Sequence, residues 1–254
     1  MNYAATRDNY SSEGTTPVQF RVQPEIFARF PELQIIVAVV HGIDNTVERP
    51  AISARWHEVW KRAQRESVYG NAQSHPRVRS WREQFQSFGV SGKKHPSSIE
   101  AVLRRALKAG SEPFFINPLV DFYNTVSLKH VVPAGAFDLD QIENPLELRL
   151  TRAGDTFHAL DADSPVAVEP DEMGYVAGSI VLTRHIMWRQ SREGLITPET
   201  TSLILLSEGL RDFDTPDARI ADVVQNEFTT GMREHFGAMA RPFIVTSEQP
   251  EIEW

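Results

Sequence analysis

The chain of 254 residues suffices for one large domain or two small ones, and 41% hydrophobic with 24% charged residues is the composition of a folded globular protein. It contains no cysteine, which excludes disulfides, thiolate nucleophiles, cysteine-ligated zinc and iron–sulfur clusters, and suits a cytoplasmic setting. The formal net charge of −8 removes the overall basic balance of a protein that grips phosphate backbones with its whole surface, so a polyanionic partner requires a local basic patch.

Residues 1–17, MNYAATRDNYSSEGTTP, are polar, lack the apolar core of a signal peptide and are expected to form a flexible tail before a domain over 18–245. The longest apolar run, Ile35–Val40, is too short to span a bilayer. It lies in Leu33–Val40 (LQIIVAVV), a β-branched run that reads as a strand buried on both faces at the centre of a sheet. Gly42 and Asn45 mark a turn, and Pro50 opens a helix whose Ile52, Trp56, Val59, Trp60 and Ala63 recur at helical spacing. A second helix begins at Ser97 and Glu100, which have capping-box spacing, carries the stripe Ile99, Val102, Leu103, Ala106 and Leu107, and ends at Gly110.

Asn117 and Pro118 fit an N-cap and first helical position, opening a helix through about Lys129. On it Asn117, Asp121 and Asn124, with Ser127 beside them, form one polar stripe among Leu119, Val120, Phe122, Tyr123, Val126 and Leu128. Such a stripe either caps and hydrogen-bonds neighbouring loops or lines an internal site. Beyond it the chain turns to short strands at Leu146–Leu150, Tyr175–Leu182 and Leu203–Leu206. Thr215 and Pro216 then start a helix with the apolar face Ile220, Val223, Val224 and Phe228, and residues 246–254 are expected to be an acidic tail.

There is no P-loop, no GxGxxG, no GxSxG and no HExxH, and the eight histidines show no metal-ligand spacing, so no cofactor or metal is expected. Charge is uneven: residues 71–110 carry eight basic side chains, among them Lys93, Lys94, Arg104 and Arg105, against the acidic Glu83 and Glu100. That stretch is either a solvated face or an RNA-facing edge. Residues 183–192, TRHIMWRQSR, set Arg184, Arg189 and Arg192 around Trp188, a mixture suited to base stacking or anion binding.

The run FINPLVDFYNTVSLKHVVPAGAFDLDQI at 115–142 resembles the core of the B3/B4 domain, the editing module of the beta subunit of bacterial phenylalanyl-tRNA synthetase, which carries the pattern VVD-x-x-N-x-V followed by G-x-P-x-x-AFDLD. The flanking runs at 88–110 and 183–210 resemble free-standing proteins made of this domain alone. The resemblance implies a single α+β domain with a mixed central β-sheet packed by helices, and a cavity that receives the 3′ end of a misacylated tRNA. It implies a trans-editing hydrolase acting on tRNA, with a synthetase as a further partner; the alternative is a non-catalytic module that binds a tRNA end or an amino acid.

Carried over by residue, the pocket asparagine is matched by Asn124, while Tyr123 occupies a threonine position and Gly135 that of a histidine. The side-chain-recognising glutamate falls on Ser207 or Glu208. The expected site therefore has Asn124, Asp121 and Glu208 as catalytic groups, Asn117, Tyr123, Ser127, Gly135 and Ser207 as substrate contacts, and Lys93, Lys94, Arg104, Arg105, Arg184 and Arg189 as tRNA contacts.

Overall fold

The computed structural model describes residues 19–143, 145–215 and 218–254, so the 1–17 tail and Pro216 lie outside the described residues. The N-terminal half contains β1 (Gln19–Val22), α1 (Pro24–Arg29), β2 (Leu33–His41), α2 (Pro50–Glu66), α3 (Pro76–Ser87), α4 (Ser98–Ala106), α5 (Pro118–His130) and β3 (Ala134–Asp138). It continues through β4 (Leu146–Leu150), β5 (Thr156–Phe157), β6 (Val166–Ala167), β7 (Met173–Ala177), β8 (Ile180–Arg184) and β9 (Arg189–Gln190). The last elements are β10 (Ser202–Leu210), α6 (Ile220–Phe236), β11 (Ala240–Val245) and β12 (Glu251–Glu253).

The strands form two sheets. A four-stranded antiparallel sheet has the order β11-β2-β10-β3, with the apolar run 33–40 buried in β2 as its sequence demands. An eight-stranded mixed sheet runs β12-β1-β4-β7-β8-β5-β6, with β9 on β8 and parallel pairs at β1–β4 and β5–β8. This is the expected α+β class with a mixed sheet, and α5 and α6 cover the four-stranded sheet.

Several local expectations change once long-range partners are known. The segment 246–254 is not a free tail: β12 pairs antiparallel with β1, Ile252 is buried and Trp254 packs on Phe243. The run 175–182 is two strands, because Gly178 at φ +57 turns β7 back into β8. Ser97 caps α4 by accepting the Glu100 N–H, but the Glu100 carboxylate leaves the capping box and pairs with Arg82, which neutralises it where it is buried. Helix α4 ends at Ala106, short of Gly110, and α6 begins at Ile220, whose N–H bonds the Asp214 carboxylate rather than a cap at Thr215. Among the described residues no helix is long and apolar enough to cross a membrane.

Helices α5 and α6 meet where Gly231 of α6 faces the buried Phe122 of α5, a ring also held by Phe228 and Phe236. A β-carbon on Gly231 would overlap that ring. Gly231→Ala is therefore expected to destabilise the fold by about 1–3 kcal/mol despite alanine's better helix propensity, read from a denaturant midpoint.

Candidate functional site

Strand β10 separates two environments by its alternation. Ser207 faces the helix layer, where its hydroxyl donates to the Pro133 carbonyl at 2.6 Å, and Gly209 approaches Ile220 of α6 on the same face. Leu206 and Glu208 face the other way, toward the eight-stranded sheet, and line a cavity of about 150 Å³ with Gly135, Phe137, Tyr175, Met187, Trp188 and Arg189. The sequence left Ser207 and Glu208 as alternatives; of the two, Glu208 is the one with its side chain in the cavity.

The Glu208 carboxylate is only 4% exposed, and it accepts a hydrogen bond from the Tyr175 hydroxyl at 2.6 Å, a contact that joins the two sheets. Burial pushes its pKa up to about 7, against the opposing effect of the Tyr175 hydrogen bond. Tyr175 is pushed well above the usual tyrosine value, first by burial and then by the neighbouring Glu208 charge, so it remains a donor. Its ring is wedged between Phe20 and Phe137, which fixes the hydroxyl. Gly135 pairs with Leu206 across the strands, and a β-carbon there would meet nothing within 4 Å, so glycine leaves that wall open.

The opposite wall is the turn after β8. His185 and Ile186 both adopt left-handed backbone, at φ +47 and +61, which is costly for side chains with a β-carbon and most so for β-branched isoleucine. Hydrogen bonds from the Ile186 N–H to the Met173 carbonyl (2.8 Å), from the Ser98 N–H to the Met187 carbonyl (2.7 Å) and from the Thr183 hydroxyl to the Ile186 carbonyl (2.7 Å) hold it there. Outside the turn, His95 stacks on His185 at 4.0 Å and meets Trp188 at 4.4 Å. Burial drives the His185 pKa down to about 4, so this stack is neutral at physiological pH.

The remaining expected residues lie elsewhere. None of the polar stripe of α5 lines this cavity. Asn117 accepts the Val120 N–H and the Asn45 side-chain amide, Ser127 donates to the Val132 carbonyl, and Asn124 and Tyr123 are buried mid-way along α5. Asp121 opens onto a separate cleft. Asn117 and Ser127 fulfil the capping alternative, because a helix buried on all sides must satisfy its own ends. Of the cationic set, Arg184 is tied to Glu172 and Arg105 lies over Phe114, while Lys93, Lys94 and Arg104 are exposed and Arg189 stands at the cavity beside an ion pair with Asp161. Tyr175 and the turn 185–188 complete the cavity. The sequence marked the turn only as an Arg/Trp cluster, and the one hint of Tyr175 was a tyrosine among small and β-branched neighbours.

The B3/4 domain family matches residues 80–218, more than half of the sequence and the span that contains Gly135, Tyr175, the strained turn and Glu208. The chain belongs to the B3/4 domain family. A comparison with curated proteins finds no match. Among solved structures it is similar to an N-terminal fragment of the phenylalanyl-tRNA synthetase beta-subunit from Pyrococcus horikoshii, at 13% identity and a TM-score of 0.46. That similarity covers 100% of this chain and 56% of the fragment.

A carboxyl whose pKa is raised on folding holds its proton longer in the folded state, so stability falls as pH climbs from the ordinary value of 4.5 toward 7. Glu208→Gln removes that loss. The variant is expected to melt close to wild type at pH 4.5 and to gain relative stability by pH 8; parallel melting curves at both pH values would contradict the raised pKa.

Proposed function

We propose that this B3/4 domain protein is a trans-acting aminoacyl-tRNA deacylase, and that its chemistry occurs in the cavity at Glu208. The supporting observation is a single buried carboxyl of near-neutral pKa facing a cavity between two sheets. At about 150 Å³ the cavity is well below the ~300–1,000 Å³ of pockets that engulf drug-sized ligands, which suits an amino-acid side chain with its ester and ribose at the mouth. Apolar walls of Phe137, Met187 and Leu206 suit an apolar side chain.

Hydrolysis needs a positioned water, a base and a stabilised oxyanion, with no protein nucleophile. Ionised Glu208 takes a proton from water as the oxygen attacks the ester carbonyl. Collapse of the tetrahedral intermediate breaks the bond to the ribose oxygen, which receives that proton, and free amino acid and tRNA result. Arg189 at the cavity, with exposed Lys93, Lys94 and Arg104, supplies positive charge for the tRNA end. A soluble cytoplasmic setting and a synthetase that supplies the misacylated tRNA complete this reading.

A binding module is the second reading, and one feature favours it: the Tyr175 hydroxyl already occupies Glu208, while Gly135 brings no titratable group to the cavity wall.

Purified protein incubated with a panel of mischarged tRNAs is expected to release amino acid from at least one. Glu208→Gln is expected to lower kcat/KM by about 10²-fold or more, and the wild-type rate should rise with pH through about 7 as Glu208 ionises. Tight capture with no release across the panel would establish the binding module instead.

A further inference from the structure

We propose that the cleft between the start of α2 and the start of α5 binds a small primary ammonium compound bearing an apolar group, with Asp121 as its counter-ion. The cleft, about 490 Å³, is lined by Glu48, Arg49, Ser53, Phe115, Ile116 and Asp121 among others, and shares no lining residue with the cavity at Glu208. Asp121 is 4% exposed at its inner end, whereas Phe115 and Ile116 at its rim are 55% and 63% exposed.

Asp121 is a buried charge without a cation. Its carboxylate accepts the Ile116 N–H at 3.0 Å, and no ion pair to it is formed among the described residues. Arg49 lines the same cleft but forms no ion pair with Asp121: its guanidinium donates to the Asp44 carbonyl at 2.7 Å and lies 4.5 Å from the Phe236 ring centre. Burial raises the Asp121 pKa to about 6 against that one backbone donor, so the folded chain holds an under-compensated carboxylate at neutral pH.

A ligand ammonium brings three N–H donors to the carboxylate oxygens that the backbone leaves unfilled, and charge-assisted bonds of this kind are the strong ones. Glu48 adds a second carboxylate to the lining, so that acidic side chains outnumber its one cation, Arg49. Phe115 and Ile116 are two consecutive large apolar side chains left exposed at the same mouth, and they give an apolar group on the ligand a surface to cover. Among the described residues no group of three or more metal-ligating side chains is assembled, so the chemistry of the cleft favours an organic cation over a metal ion.

The test uses calorimetry on the full chain at pH 7.5 with phenethylamine, its neutral analogue 2-phenylethanol and the anion 3-phenylpropionate. Phenethylamine is expected to bind wild type and Glu208→Gln equally, and the alcohol and carboxylate to bind at least tenfold more weakly. Asp121→Asn keeps an acceptor for the Ile116 N–H and is expected to fold, yet to lose at least tenfold in amine affinity. Phe115→Ala, an exposed change with little bearing on folding, is expected to weaken the amine several-fold. No binding of the amine at millimolar concentration, unchanged binding in Asp121→Asn, or loss of binding in Glu208→Gln would overturn the proposal.

Discussion

The Glu208 carboxyl sits between two sheets that share no strand, and the Tyr175 hydroxyl reaches it from the far side at 2.6 Å. Burying a carboxyl costs free energy unless it is neutralised or hydrogen-bonded, and here the response is both a raised pKa and one strong donor. The surrounding architecture serves that arrangement. Strand β10 is flanked on both edges, by β2 and β3, so its register cannot slip without moving Glu208 to the helix face. Tyr175 is clamped by Phe20 and Phe137, and the strained turn at His185 and Ile186 closes the remaining side. Two consecutive left-handed residues with β-carbons persist only because a hydrogen bond to the Met173 carbonyl and others from Ser98 and Thr183 over-determine them.

The elements that sequence reading recovered are those whose cause is local. The continuous β-branched run of β2 reports burial on both faces, and Asn117-Pro118 encodes the start of α5 through a side-chain acceptor and a fixed φ. What escaped depends on partners distant in the chain. The strand at 251–253 exists because β1 offers it an edge, and Glu100 abandons its local capping role because Arg82 arrives from α3. Choosing between Ser207 and Glu208 needed knowledge of which face of β10 meets the second sheet, and period-two alternation alone carries no such label. The polar stripe of α5 looked like a site lining, but Asn117 and Ser127 satisfy backbone groups at the two ends of the helix, and Asn117 and Asp121 open onto a cleft separate from the cavity at Glu208.

Charge shows the same division. The basic stretch at 71–110 is conspicuous in sequence, yet much of it is structural: Arg82 neutralises Glu100, Arg77 donates to the carbonyls of His130 and Phe213, and Arg105 covers Phe114. Lys93, Lys94 and Arg104 remain exposed near α4 and the loop before it, on a molecule that is acidic as a whole.

Because the reading of the cavity rests on a buried carboxyl poised near neutrality, the most direct measurement is the titration of Glu208 itself, followed by its side-chain carboxyl carbon resonance between pH 3 and 9, with Glu208→Gln used to assign the signal. A midpoint near 7 is the predicted result, and a midpoint near the ordinary 4.5 would show the carboxyl to be solvated and would contradict the account.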